Sequence, residues 1–177
     1  MSFFSFLFGS KEETPEQPVA APQAAQAAGK HAPGTHIAYS ASLVDELKQE
    51  HQQLVTCFQA IAAAFASGDL VATCREMENF RGGLLAHLLK ENVRFYIYLE
   101  HALIGDTSSH ALVHQFRHEM DGIGKTVVAF LGKYAVMAEQ PALANTFGKD
   151  LAAIGDVLVR RIRNEEDNLY PLYLPAY

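Results

Sequence analysis

His87 and Glu91 carry the side chains in this sequence that are best suited to holding a metal ion. They lie four residues apart, and residues i and i+4 of a helix project from the same face. An imidazole nitrogen and a carboxylate oxygen together suit iron or zinc. The pair alone is a weak signal, because two ligands leave a metal site incomplete.

Three further polar residues interrupt apolar helical stripes in the same way: His51, Arg161 and Glu165. His51 lies between Leu47 and Leu54, four residues after one and three before the other, so all three share a helix face. Buried charge is costly unless it is paired or coordinated. These polar positions therefore need a shared explanation.

Counting along the chain places these residues at one height. His51 precedes the turn at Gly68 by 17 residues, and His87 follows that turn by 19. At about 1.5 Å per residue, antiparallel neighbours at equal counts meet at one level. The same count across the next two turns adds Met120, Arg161 and Glu165. We predict one polar cross-section, which is where helical bundles build metal and cofactor sites.

The elements that must position this cross-section are four helices. Apolar residues recur with a 3.6-residue period from Ser40 onward, and the strict alternation of a half-buried strand is absent. Gly68, Asp106 and Pro141 mark the turns, because such residues end or begin helices. Short connections force neighbouring helices to run antiparallel. We predict an all-α, up-down-up-down four-helix bundle over residues 41–177.

The composition fits one soluble domain behind a tether. The 177 residues are 49% hydrophobic, and a formal net charge of −6 argues against nucleic acid as a partner. Two cysteines, with no apolar run near the ~20 residues of a membrane span, predict a cytoplasmic protein. Residues 1–40 are predicted to be a flexible N-terminal arm. Its apolar patch, Phe3–Phe8, is either a loose end or a weak contact for a membrane surface or a protein partner.

Two interpretations of the polar cross-section stay open from the residues alone. Either it holds a metal ion, or it is a metal-free layer in which Arg161 donates its fork to Glu91 and Glu165 while the histidines bridge them. The histidines at 110, 114 and 118 are predicted to form a solvated face of the third helix. The alternative is a rotated third helix that brings His118 into the layer.

These motifs resemble the hemerythrin-like, HHE cation-binding family. The resemblance spans residues 41–174 and lies in Leu47-x-x-Glu50-His51-x-x-Leu54, His87-x-x-x-Glu91 and Glu165-Glu166-x-x-Leu169-Tyr170-Pro171. It implies a four-helix bundle with a non-haem di-iron centre that binds dioxygen or nitric oxide, senses oxygen or redox state, or handles iron. The positions that match the family's ligands are His51, His87, Glu91 and Glu165.

Two positions depart from that family's pattern, because Met120 and Arg161 stand where ligand histidines are expected. Both departures fall on the ligands of the same iron. Losing two imidazoles and gaining a guanidinium makes a second dication unfavourable. The expectation is therefore a single iron, or no metal at all.

A second resemblance, to the Rsd/AlgQ regulators, lies in Phe80-x-x-x-Leu84 through Tyr96 and in Leu151-x-x-Ile154-Gly155-x-x-Leu158-x-x-Arg161-x-x-x-Glu165. Those small bacterial four-helix proteins bind the housekeeping sigma factor of RNA polymerase, and their core lacks the metal ligands. It implies an alternative function, a metal-free regulator whose partner is the sigma factor.

The prediction that follows is a non-enzymatic, iron-binding module that senses or binds oxygen, nitric oxide or redox state. The orientation of Arg161 separates it from the alternative. A guanidinium that reaches both Glu91 and Glu165 favours the regulator, and one that turns to solvent favours a bound cation.

Overall fold

Four antiparallel helical rods make up the computed structural model, which describes residues 31–176. The first rod is α1 (Leu43–Ala66). The second comprises α2 (Leu70–Lys90), a π-helical turn (Glu91–Tyr96) and α3 (Ile97–Ala102). The third is α4 (Thr107–Tyr134), and the fourth comprises a 3₁₀ turn (Pro141–Leu143), α5 (Ala144–Asn164), a π turn (Glu165–Leu169) and a 3₁₀ turn (Tyr170–Leu172). Helices α1 and α4 each pack on α2 and α5, so the predicted all-α bundle is confirmed.

The turns between rods form where the sequence predicts them. Gly68 takes a φ of +79°, the left-handed conformation that ends helices at little cost to glycine. The Asp69 carboxylate accepts the Ala72 N–H at 2.8 Å, which caps α2. Asp106 caps α4 by accepting the N–H groups of Ser108 and Ser109. These caps keep the connections short and the rods antiparallel.

The apolar core is divided into two clusters. One lies toward the α1–α2 turn and includes Phe58, Phe80 and Phe147. The other lies toward the opposite end and includes Phe95 and Tyr98. Leu54 belongs to the first cluster and Leu47 to the second, so His51 lies between the two. The predicted polar cross-section is the layer that separates them.

Residues 31–40 pack against the end of the bundle. Ala32 is 1% exposed, the Tyr39 ring stacks on Tyr173 with centroids 5.0 Å apart, and the Ser40 N–H donates to the Tyr173 hydroxyl at 3.1 Å. The packed part of the chain thus includes residues that the sequence assigns to the arm. The apolar patch at Phe3–Phe8 lies outside the described residues. Within residues 31–176, no helix is both long and apolar enough to cross a bilayer.

The sequence predicts uninterrupted α-helices, but the second and fourth rods each contain a π turn. One begins at Glu91 and the other at Glu165, which are the two buried glutamates of the polar layer. A π turn inserts an extra residue into a helix and is frequent at functional sites. The extra residue changes which side chains face the core in the segment that follows Glu91 or Glu165 in the chain.

Candidate metal centre

The polar layer brings together all four predicted ligands. His51, His87, Glu91 and Glu165 are between 1% and 4% exposed. The first three each offer a ligand atom, and those three atoms lie within 4.8 Å of one another. Glu165 joins them, because its Oε2 is 3.3 Å from His51 Nε2. Side chains from three rods therefore converge on one interior point, as the counting predicts.

Two carboxylates outside the layer orient the imidazoles. The Nδ1–H of His51 donates to Glu166 at 2.9 Å, and the Nδ1–H of His87 donates to Glu50 at 3.0 Å. Glu50 is in turn held by Lys90. With Nδ1 protonated, each neutral ring directs the lone pair of its Nε2 inward. This carboxylate–imidazole arrangement is the one that surrounds histidine ligands in metal sites.

When His51 is neutral and Glu91 is ionised, the inward-facing atoms are all acceptors that confront one another. His51 Nε2 faces Glu165 Oε2 at 3.3 Å, and His87 Nε2 faces Glu91 Oε2 at 3.8 Å. Glu91 Oε2 is buried and has no hydrogen-bond partner among the described residues. Lone pairs that face carboxylate oxygens are unfavourable without a proton or a cation between them. The donor set therefore fits a metal ion, which would satisfy the confronting atoms at once.

The crowding of charge shifts the pKa values of this layer. Burial raises the pKa of Glu91 to about 8, and the negative charge of the neighbouring Glu165 carboxylate adds to this effect. Burial opposes protonation of His51, but the carboxylates of Glu165, Glu166 and Glu91 together outweigh burial and raise the pKa of His51. Burial and the neighbouring His51 lower the pKa of His87. The two histidines thus differ in their affinity for a proton although both are buried.

Tyr170 is a member of the layer that the residue patterns do not reveal. Its hydroxyl donates to Glu91 Oε1 at 3.0 Å and lies 3.3 Å from His51 Nε2. Its ring lies parallel to the His51 ring, with centroids 5.7 Å apart. The sequence patterns assign no contact in the layer to Tyr170, Glu50 or Glu166, which appear there only within the family motifs. The available signal was adjacency, since Glu50 precedes His51 and Glu166 follows Glu165.

Arg161 neither reaches both Glu91 and Glu165 nor turns to solvent, which were the two expected orientations. Its guanidinium is buried, and it donates from Nε to Glu165 Oε1 at 2.6 Å and from Nη2 to the Tyr96 hydroxyl at 2.7 Å. It lies 4.8 Å from the centre of the Phe116 ring. It neither turns to solvent nor forms a hydrogen bond with Glu91. The expectation that its fork joins both glutamates is therefore wrong, because Tyr96 takes the second arm.

The third rod contributes no imidazole to the layer. Met120 is 8% exposed and faces the interior, whereas His118 is exposed. The alternative of a rotated third helix is therefore wrong. Met120 lines a cavity of about 40 Å³ beside His51, His87 and Arg161. The rest of its wall is mainly apolar, with Leu54, Phe80 and Leu84 among the contributing side chains.

Comparison with known proteins identifies one family. A family model described as the hemerythrin HHE cation binding domain matches residues 41–173. No curated protein and no solved structure matches the chain significantly. The resemblance to the Rsd/AlgQ regulators thus has no support from these comparisons. The matched range contains every residue of the polar layer.

Proposed function

The chain belongs to the hemerythrin HHE cation-binding family, and from that premise we propose that it binds a single iron ion through His51, His87, Glu91 and Glu165. We propose further that the bound ion lets the protein bind or sense dioxygen, nitric oxide or redox state. Iron in such a site supplies an open coordination position and a one-electron redox change.

One observation carries this proposal. Two imidazole Nε2 atoms face two carboxylates while both Nδ1 atoms are held by outer carboxylates. Protons alone satisfy this arrangement poorly, since Glu91 Oε2 lies 3.8 Å from His87 Nε2 and has no hydrogen-bond partner within residues 31–176. A cation between the four side chains satisfies all of them together. Nitrogen and carboxylate ligands suit iron.

We expect a single ion because the Arg161 guanidinium supplies positive charge where the family's pattern would place a ligand of a second iron. The guanidinium neutralises Glu165 at 2.6 Å, and Tyr96 and Phe116 hold it in the interior. Another dication near this guanidinium would meet a permanent like charge at low effective dielectric. Met120 offers only a thioether sulfur there, a soft ligand that does not replace an imidazole for iron.

The cavity beside the centre fits a small ligand. Its volume of about 40 Å³ exceeds the roughly 10–15 Å³ that one water needs on a comparable measure. A diatomic molecule such as dioxygen or nitric oxide is small enough for this cavity. Because most of the wall is apolar, we propose binding or sensing rather than catalysis.

Iron content tests this proposal directly. The full chain, purified without chelators, should contain about one iron per chain, as expected for one closed set of ligands. His87→Ala should lose that iron, whereas His118→Ala, which removes an exposed histidine, should retain it. Substoichiometric metal in the wild-type protein that His87→Ala leaves unchanged would contradict the proposal.

The buried Arg161–Glu165 ion pair favours one alternative, a metal-free regulator. The pair compensates one carboxylate without any metal, which is what a self-sufficient polar layer requires. The partner in that alternative is the sigma factor, which the resemblance to the Rsd/AlgQ regulators implies. A pull-down with the metal-free full chain tests it, and recovery of no polymerase subunit would remove it.

A further inference from the structure

A groove opens on the surface beside the candidate metal centre, between α1 and α5. It encloses about 200 Å³, and His51 forms part of its floor. Its polar lining carries both signs of charge, and its apolar lining is formed by Val55, Val159 and Ile162. The polar residues are Gln52, Arg163, Glu166 and Asp167. The groove therefore joins the solvent to the outer side of a candidate ligand.

The groove and the cavity beside the candidate metal centre share a set of lining side chains. Both are lined by His51, Val55, Val159 and Ile162. Three of these four side chains are apolar and half-buried, whereas His51 is fully buried. Val55, Val159 and Ile162 thus form the apolar boundary common to the groove and the cavity, and we call these three side chains the neck.

Glycines explain why the opening lies at this height. A Cβ on Gly155 would lie 3.0 Å from Phe58 Cε1, and one on Gly148 would lie 3.2 Å from Phe65 Cε1. Without those side chains, α1 and α5 pack closely toward the α1–α2 turn. One turn beyond Gly155, the branched side chain of Val159 lies at the junction instead, and the groove begins there.

We propose that this groove is the access path by which a small uncharged diatomic molecule reaches the candidate metal centre. The inference rests on the proposed function. An apolar neck admits a neutral molecule at little desolvation cost, whereas an ion would lose its hydration there.

The rate of nitric oxide binding to the iron(II)-loaded full chain tests the path. Val159→Phe places a ring in the neck and should slow association by about tenfold, because it raises the barrier to passage. A barrier acts on association and dissociation alike, so the equilibrium constant should stay the same. Val157→Phe is the matched control, since Val157 is a half-buried valine of the same helix that lines neither cavity.

Two results would overturn the proposal: unchanged association in folded, iron-loaded Val159→Phe, or equal slowing by Val157→Phe. If Val159→Phe does not fold, Val159→Ala takes its place and should speed association. Xenon exchange with the metal-free protein, followed by ¹²⁹Xe NMR, separates the two proposals. A wild-type chain without iron contradicts the proposed function, whereas xenon exchange that Val159→Phe does not slow contradicts the path.

Discussion

At the scale of single residues, the polar layer is organised by a crossed pattern of neighbours. Glu50 precedes His51 in the chain but holds His87, and Glu166 follows Glu165 but holds His51. Consecutive residues of a helix point about 100° apart. A glutamate beside a candidate ligand therefore faces the next rod, where it reaches the imidazole of another ligand. The outer carboxylates thus join the rods as well as orient the rings.

Removing an outer carboxylate should weaken metal binding without removing a ligand. Glu166→Ala should lower the affinity of the full chain for iron by about 10- to 100-fold, because the His51 ring loses its orienting partner. Glu166→Gln keeps an acceptor for the Nδ1–H and should recover part of the loss. Asp167→Ala serves as control, since this exposed neighbour does not contact His51. Equal affinities for the three variants, measured by competition with a chelator, would refute the orienting role.

The raised pKa of Glu91 predicts how the stability of the metal-free protein depends on pH. In the folded protein the pKa of Glu91 is about 8, against an ordinary value of 4.5. Between these values the folded state binds more protons than the unfolded state, so the free energy of unfolding falls as pH rises. Glu91→Gln removes this contribution. Urea unfolding at about pH 5 and about pH 8 should show a smaller fall for Glu91→Gln than for wild type; equal falls would exclude this origin.

At the scale of the elements, periodicity predicts the rods but not the π turns within them. Apolar spacing predicts the four rods, and Asp69 and Asp106 cap the second and third of them where α2 and α4 begin. Glu91 and Glu165 begin π turns that the spacing of apolar residues does not predict. Over one turn, an α-helix and a π-helix give similar spacings of apolar residues, so the sequence does not distinguish them. Tyr170 enters the layer beyond such a turn, so its contact with Glu91 was not foreseeable.

Close packing of α1 on α5 makes a prediction at this scale. Gly155→Ala should gain helix propensity of about 1 kcal/mol but push a methyl group against Phe58, at a cost of about 1–3 kcal/mol. Gly132→Ala has the same propensity gain in α4 and meets nothing within 4 Å. Chemical denaturation should therefore find Gly155→Ala less stable than Gly132→Ala. The opposite order would mean that Phe58 yields without cost.

At the scale of the whole molecule, the bundle is two apolar clusters joined across a charged layer. Three rods supply the candidate ligands and Arg161, and the α4 rod supplies Met120. The sequence predicts that these residues share one height, since helix length alone determines that. It does not predict which partner each side chain binds, because the Tyr96 hydroxyl, and not Glu91, accepts the second hydrogen bond of the Arg161 guanidinium. In the metal-free bundle the buried Oε2 of Glu91 has no hydrogen-bond partner among the described residues, and this lowers the stability of the layer.

Metal removal should therefore lower the stability of the entire fold. An ion that binds only the folded state at about 1,000 times its dissociation constant adds about 4 kcal/mol to the free energy of unfolding. For a chain of this length that corresponds to a decrease in Tm of roughly 10 °C when a chelator is added. His118→Ala should show the same decrease, because the layer is intact. His87→Ala should start from the lower Tm and not respond to chelator, so a response equal to wild type would place the stabilising ion elsewhere.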